Sequence, residues 1–477
     1  MDIRTVDVAI IGAGTAGLAA YRAARSHGKT VLLIEGGPYG TTCARVGCMP
    51  SKLLIAAAEA AHMISLAPNF GVHAGPPVID GPAVMRRVKT ERDRFVSFVL
   101  EGVEKIPQAD RLHGHARFID AGRLQVDEHT IVNAGRIVIA TGSSPQRPQE
   151  LQAIGERLVT SDELFDWNDL PESVAVIGTG IIGLELGQAL HRLGVRVALF
   201  GRAGGLAQLK DKAVLASAVK ALGAELDLRL NTEVAGLTRD GDMVTLRSRS
   251  AGADERTERY AFVLAATGRI PNVKQLGLEH SGLTLDKDGI PLFDAHTAQC
   301  GDGPVFIAGD AASDRPLLHE AADSGRIAGE NAARYPDVQP GLRRVPLSIA
   351  FSDPQIAVVG QTAQDPSAGR IVKGEVSFEN QGRSRVMLQN HGLLRVFAET
   401  GSGRFVGAEM IGPRAEHVAH LLAWACQSGM TVAQMLELPF YHPVIEEGLR
   451  TALRDAADKL LHGLPEIEHC TDCTPGM

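Results

Sequence analysis

Residues 7–18 read DVAIIGAGTAGL, and residues 173–184 read SVAVIGTGIIGL. Each is an apolar, β-branched run that ends in G-x-G-x-x-G and continues in small residues suited to a helix. A lone motif of this kind says little, but one that follows a strand, opens a helix and occurs twice says far more. Gly12 and Gly178 permit a tight turn. Gly14 and Gly180 let backbone approach a pyrophosphate, and Gly17 and Gly183 let helix pack on strand. The helix start then offers free N–H groups and a favourable dipole to phosphate. Two glycine turns without a ligand are the plain alternative.

The repeat extends outward. Each copy has a later apolar run ending in Ala-Thr-Gly: IVIATG at 137–142, with Thr141 and Gly142, and VLAATG at 263–268, with Gly268. From first glycine to last the first copy spans 130 residues and the second 90. In the first copy TVLLIE ends on Glu35, an acid suited to a ribose diol, which reads as the adenosine site of FAD. In the second, Gly201 stands at that place and Arg202 follows. An arginine there suits a 2′-phosphate and leans the nicotinamide site towards NADPH over NADH; a solvated surface arginine is the alternative. A third element at 304–333 has a buried strand ending in Gly309-Asp310. Residues 345–465 change to alternating strands and helices, and EIEHCTDCTPGM reads as a tail.

The expected fold is therefore α/β: two Rossmann-like FAD- and NAD(P)-binding domains plus a C-terminal α+β domain; the family resemblance given below implies that the second is inserted in the first and that the α+β part is a dimerisation domain. Its expected boundaries are 1–148 for the first FAD part and 149–268 for the NAD(P) domain. The second FAD part follows at 269–343, the dimerisation domain at 344–465, and a cysteine-containing tail at 466–477. A chain of 477 residues exceeds what one core usually supports. The net charge of −8 and an aromatic content of 4 % argue against nucleic acid or an anionic membrane as partner. No apolar run reads as a membrane span. The opening MDIRTVDVAIIGAG lacks a basic leader and a cleavage site, so a cytoplasmic placement is expected.

Residues 40–52 read GTTCARVGCMPSK. In a regular helix the five-residue step from Cys43 to Cys48 rises about 7.5 Å, whereas a disulfide wants Cα atoms within about 7 Å. A bond needs a distorted helix start, which Gly47 and Pro50 allow. Such a strained bond is labile, hence catalytic. Two buried reduced cysteines, a zinc half-site without a second pair nearby, or a structural bridge would also fit the spacing. No metal site is assigned.

Together these motifs, with HPVIEE at 442–447, resemble the class I pyridine nucleotide–disulfide oxidoreductases, over nearly the whole chain to about residue 460. The branch most resembled is that of the dihydrolipoamide dehydrogenases, through Met-Pro-Ser-Lys after Cys48 and Leu-Leu-His at 317–319. The resemblance implies electron transfer from NAD(P)H through FAD to a Cys43–Cys48 disulfide. In that pattern Cys48 is the charge-transfer thiolate and Cys43 the interchange thiol. Lys52 lies near the flavin and pairs with Glu185. Thr42 meets the FAD pyrophosphate and Asp310 the ribityl chain. His442 and Glu447 form the acid–base pair, donated across a homodimer. Glu446, four residues from His442, is the rival carboxylate by helical spacing.

The activity implied is oxidation of dihydrolipoamide, free or protein-bound, by NAD⁺. The alternative is an NADPH-dependent reductase of mercuric ion or another disulfide, using Cys470 and Cys473. A non-catalytic flavoprotein partner is the alternative of another class. Three features depart from the pattern: Thr41 where a glycine is usual, Arg45 where an asparagine is usual, and the tail motif His469-Cys470-x-x-Cys473. Cys300 and Cys426 read as isolated structural residues.

Overall fold

The computed structural model describes residues 2–250, 252–362 and 370–462. The chain divides into two compact units: Met1–Leu53, Arg86–Gln146 and Gly268–Arg343 form one, and Leu54–Met85, Arg147–Thr267 and Arg344–Met477 the other.

Among the described residues the first unit holds a seven-stranded sheet. Its order is Arg111–His113, Val31–Glu35, Asp2–Ile11, Thr130–Ile139, Arg123–Val126, Ala116–Asp120, with Val305–Ile307 added beside the end of Thr130–Ile139. The central strands are parallel, as Val8 opposite Val31 and Arg136 shows. Val8, Ala9, Ile10, Leu32, Leu33 and Val138 are fully buried. Burial on both faces explains why these strands read as unbroken apolar runs rather than alternating ones. Four parallel strands end at one rim, and just there lie Gly12, Glu35, Thr141-Gly142 and Gly309-Asp310.

The rim is shaped by backbone crowding. A Cβ on Gly12, whose φ is +105°, would lie 2.3 Å from the Ala140 carbonyl oxygen; one on Gly17 would lie 1.8 Å from that of Gly12. Helix Thr15–Ser26 leaves this turn and packs on helix Leu318–Arg334. Their backbones nearly touch: a Cβ on Gly325 would sit 2.2 Å from Ala16 O, and one on Gly329 2.3 Å from Ala20 O.

The second unit repeats the plan. A parallel sheet runs Asp227–Leu230, Arg196–Gly201, Ser173–Ile177, Phe262–Ala265, Leu158–Val159. Gly178, at φ +117°, and Gly183 are crowded as Gly12 and Gly17 are. The C-terminal sheet is antiparallel, in the order Leu347–Ala350, Gln355–Gly360, Phe405–Gly412, Leu393–Glu399, Ile371–Ser377. Helices Ala415–Gln427 and Glu446–His462 cover it over a core that includes Phe378, Phe405, Met410, Leu422 and Leu453. The expected α/β class with its C-terminal α+β part is what forms.

Inside this unit a buried carboxylate joins the two sheets' surroundings. Glu409 Oε2 accepts from the Lys210 and Asp211 amides at 2.8 and 2.9 Å. Burial pushes its carboxyl up. Asp211 caps helix Lys212–Gly223 and pairs with Arg395 and Lys373, each at 2.9 Å. Burial works against its charge, but those two cations outweigh it and hold the carboxyl below its usual range.

One expectation needs correction. The stretch Thr42–Phe70 is long and apolar enough to cross a membrane, by length and composition only. Alanines at 56–58, 60 and 61 supply much of its apolar character.

The backbone contact between the two helices gives a direct test. Gly325→Ala should destabilise the fold by about 2 kcal/mol, since the new Cβ meets backbone that must shift. Gly102→Ala, in helix Gly81–Glu104 with nothing within 4 Å of the new Cβ, should be neutral or slightly stabilising. Urea unfolding midpoints of the two variants measure the difference.

Candidate active site

The cysteines lie on either side of a helix break. A short helix, Thr42–Val46, stops at Gly47 (φ −123°, ψ −117°), and Cys48 opens the helix Cys48–Leu66. A Cβ on Gly47 would come 3.1 Å from Thr42 O and 3.2 Å from Cys43 Cα, so only glycine fits here without adjustment. Pro50 sits in the first turn, where its missing N–H costs nothing. The break brings Cys43 and Cys48 into side-chain hydrogen-bond contact, with no bond drawn between the two sulfurs. That hydrogen bond, then burial, pushes the Cys43 thiol well above its usual range, against the opposing pull of Lys52. Cys48 is the more exposed of the two and heads a 19-residue helix, whose dipole favours a thiolate there. Lys52 follows one turn later.

Thr41 occupies backbone space that normally belongs to glycine, at φ 57° and ψ 148°. Its hydroxyl accepts the Ala44 amide at 3.3 Å, capping the helix that carries Cys43. The cap offsets part of the strain and accounts for a threonine at this corner. Arg45 lays its aliphatic stem over Gly40, where a Cβ would meet it at 3.1 Å.

In the second unit, His442 Nδ1 and Glu447 Oε1 are 2.8 Å apart. Glu447 Oε2 also accepts the Val444 amide at 3.1 Å. His442 precedes the helix that starts at Glu446, so helical i+4 spacing does not govern the pairing, and Glu447 rather than Glu446 meets the ring. A carboxylate at Nδ1 favours the tautomer with the proton on that nitrogen, which turns the Nε2 lone pair outward. The His442 side chain is 80 % exposed. Glu185, also in this unit, is buried on helix Ile181–Arg192 and accepts the Phe351 amide at 2.9 Å.

The two glycine turns suit dinucleotides. Gly14 and Gly180 face open space, unlike their crowded neighbours, and each begins its helix without a side-chain cap. Glu35 lies at the rim, holding the Ala13 and Gly37 amides at 2.7 and 2.8 Å. Thr141 Oγ1 is buried with no hydrogen-bond partner among the described residues, as a group awaiting a ligand would be. In the second turn a Cβ on Gly201 would meet Thr179 Oγ1 at 2.9 Å, and Thr179 itself bonds Gly205 O at 2.9 Å. An acid cannot stand at Gly201 without rearrangement, whereas Arg202 is exposed beside it.

The sequence pattern of the pyridine nucleotide-disulphide oxidoreductases matches residues 6–325, and that of their dimerisation domain matches residues 346–453. The chain belongs to the pyridine nucleotide-disulphide oxidoreductase family. It is similar to a mercuric reductase of Streptomyces lividans, 31 % identical, over 97 % of this chain and 98 % of that one. It is equally similar to a dihydrolipoyl dehydrogenase of Thermus scotoductus, 31 % identical over 96 % and 99 %. The crystal structure of LpdA from Mycobacterium tuberculosis superposes with a TM-score of 0.81 at 25 % identity, over 95 % of this chain and 99 % of that one. As a member of this family the chain is a flavin-dependent oxidoreductase that acts on a sulfur group with FAD and NAD(P)H. Its dimerisation domain supports a homodimer.

Some of the site was missed in the sequence. Ser143 Oγ donates to Asp310 Oδ2 at 2.7 Å, and Arg269 Nε donates to Ser143 Oγ at 2.8 Å. Asn272 binds the Thr141 carbonyl at 3.1 Å. The signal was available: Ser143 follows the first Ala-Thr-Gly, and Arg269 and Asn272 follow the second. His469, Cys470 and Cys473 lie outside the described residues. Cys300 is buried, its thiol pushed up to about 12 by burial, and Cys426 bonds Val406 O at 3.4 Å.

Ser143 holds Asp310 where the ribityl chain is expected. A hydrogen bond to a carboxylate contributes about 1.5 kcal/mol, which is about tenfold in affinity. Ser143→Ala should therefore release FAD about tenfold more readily, read as flavin fluorescence on dilution of the purified holoenzyme.

Proposed function

We propose that this chain is a dithiol–disulfide oxidoreductase that works through Cys43 and Cys48, with dihydrolipoamide as its first expected substrate. The observation that carries this reading is the thiol pair in contact across the Gly47 break, with the proton held on Cys43. In the reaction two thiols of dihydrolipoamide become the disulfide of lipoamide, NAD⁺ becomes NADH, and one proton is released. Bound FAD supplies the two-electron relay between nicotinamide and dithiol. The turn Gly12–Gly17, with Gly14 open, would receive the pyrophosphate together with Thr42. Glu35 would take the adenosine ribose and Asp310 the ribityl chain. Gly178, Gly180 and Gly183 would receive the NAD(P) pyrophosphate, and Gly142 and Gly268 close the two rims. Lys52 and Glu185 are the proposed charged pair beside the flavin.

Cys43 is the proposed interchange thiol. Only a thiolate attacks sulfur: a dihydrolipoamide thiol must lose its proton to attack the Cys43–Cys48 disulfide, and Cys43, whose proton is held tightly in the reduced pair, must lose its own to re-form it, so both steps need a base. The partner subunit's His442 is proposed to supply it through Nε2, oriented by Glu447. The exposure of His442 and its place inside the dimerisation domain support that arrangement. A cytoplasmic placement suits a dithiol that must be reduced to act.

His442→Ala should slow turnover with dihydrolipoamide by about 10²–10⁴ at pH 7. Without the histidine, the substrate's thiol proton and that of reduced Cys43, held above its usual range, pass to solvent base only as pH rises. The deficit should therefore shrink towards alkaline pH, and a deficit constant from pH 7 to 10 would refute the assignment.

A second reading is an NADPH-linked reductase of mercuric ion or another disulfide. For mercuric ion the balance is Hg²⁺ and NADPH giving Hg⁰, NADP⁺ and a proton. The crowded Gly201 beside exposed Arg202 and the relative named mercuric reductase favour it, and Cys470 and Cys473 are its candidate carriers. Turnover of dihydrolipoamide with NAD⁺, repeated with NADP⁺, decides between the two. Fast NAD⁺ reduction supports the first reading. Negligible turnover with both, alongside NADPH oxidation by Hg²⁺, supports the second. In that case Arg202→Ala should lower kcat/KM for NADPH by about tenfold and leave NADH unchanged.

A further inference from the structure

We infer that Gln381 is a positioning residue for the His442–Glu447 pair, acting through the backbone of the loop between them. The inference rests on the proposed role of that pair as base for Cys43.

Gln381 is 2 % exposed, and its side chain makes hydrogen bonds of opposite sense at its two ends. Its Oε1 accepts the Ser384 amide at 2.8 Å, capping the short helix Gly382–Val386. Its Nε2 donates to the Val444 carbonyl at 2.8 Å. The amide of the same Val444 donates to Glu447 Oε2 at 3.1 Å, and Glu447 Oε1 holds His442 Nδ1 at 2.8 Å. One continuous chain thus runs from a buried amide to an exposed imidazole.

The demand for glutamine follows from these partners. Ser384 needs an acceptor and Val444 a donor, so neither glutamate nor methionine satisfies both. The anchor itself is rigid. Ser384 is fully buried, with its hydroxyl 2.7 Å from the carbonyls of both Phe378 and Gln381. A Cβ on Gly448 would meet the Phe378 ring at 2.9 Å, so the helix after the loop is pressed onto the same layer. Position 442 is exposed and gets little packing of its own. Its geometry depends on what holds 444 and 447.

The test is iodoacetamide alkylation of Cys43 in the dimeric holoenzyme, reduced with whichever of NADH and NADPH bleaches its flavin, at pH 7, scored by mass spectrometry of the Cys43 peptide. It reads base assistance at Cys43 without requiring a known substrate. Gln381→Met should slow alkylation about tenfold, the range seen when outer partners of a working histidine are removed. Gln381→Glu keeps the acceptor for Ser384 and loses the donor to Val444, so it should slow alkylation similarly while retaining FAD. His442→Ala should be slow as well, and adding Gln381→Met to it should change nothing more, because one residue acts through the other.

Three outcomes overturn the inference. If both Gln381 variants alkylate at the wild-type rate while His442→Ala is slow, the inference fails and the proposed role of His442 stands. If Gln381→Glu alkylates as wild type while Gln381→Met is slow, Gln381 is only a helix cap. If His442→Ala alkylates as wild type, the role of the pair fails and the inference falls with it.

Discussion

The whole molecule depends on backbone meeting backbone at the ends of parallel strands. At Gly12 and Gly178 the chain must turn with positive φ while a neighbouring strand's carbonyl lies where a Cβ would be. At Gly17 and Gly183 the following helix presses onto the turn itself. No side chain can occupy these places, and the outcome is the same in both units: a helix start left uncapped, with its middle glycine facing open space. The crowding that makes the turn tight also makes it a phosphate cradle. In the first unit the constraint reaches further, because Gly325 and Gly329 bring a second helix against Ala16 and Ala20. That helix follows the Gly309-Asp310 turn, so the same crowding sets where Asp310 stands.

A smaller version of this constraint makes the redox turn. A Cβ on Gly47 would crowd Thr42 and Cys43, and the break at this glycine lets two thiols meet that a continuous helix would hold apart. On the other side of the short helix, Thr41 tolerates a glycine-like backbone because its hydroxyl caps Ala44. The turn therefore contains one corner relaxed by glycine and one held by a side chain. The contact it creates has a chemical consequence. A thiol that donates to its neighbour and is partly buried keeps its proton, which lowers nucleophilicity at Cys43 and, on the proposed reading, favours the thiolate at Cys48.

The fold was legible in the sequence because its strongest demands fall on residue types with few substitutes. Gly12, Gly17, Gly178 and Gly183 are glycines because nothing else fits, so spacing alone reveals them. The buried parallel strands read as unbroken β-branched runs for the same kind of reason. The Glu447 partnership was legible only through the family pattern; helical spacing pointed to Glu446, since the sequence did not reveal that His442 stands outside the helix. Ser143, Arg269 and Gln381 were not found. Each works through a hydrogen bond to a residue far along the chain, more than 100 positions away for Ser143 with Asp310 and Arg269 and 63 for Gln381 with Val444. Polar side chains of this kind carry no periodicity, and only the folded geometry gives them partners. The length of Thr42–Phe70 was missed for a different reason: alanine contributes little per residue and much over a run.

The two ends of the proposed proton path differ in how they are held. Cys43 is fixed from beneath by the Gly47 break and the Thr41 cap. His442 has four-fifths of its side chain in the open and is held from behind by Glu447. A base so exposed is a poor general base on its own surface, because water competes for Nε2 and screens its attraction for a thiol proton. It becomes an effective one when a second surface covers it. On the proposed reading the partner subunit supplies such a surface in a homodimer, and the buried layer of Phe378, Gln381 and Ser384 supplies the stiffness from within. On the proposed reading, burial of the histidine and delivery of the base to Cys43 are then one event, dimer formation. A stable sheet behind a bare imidazole is the form that half of such a site should take.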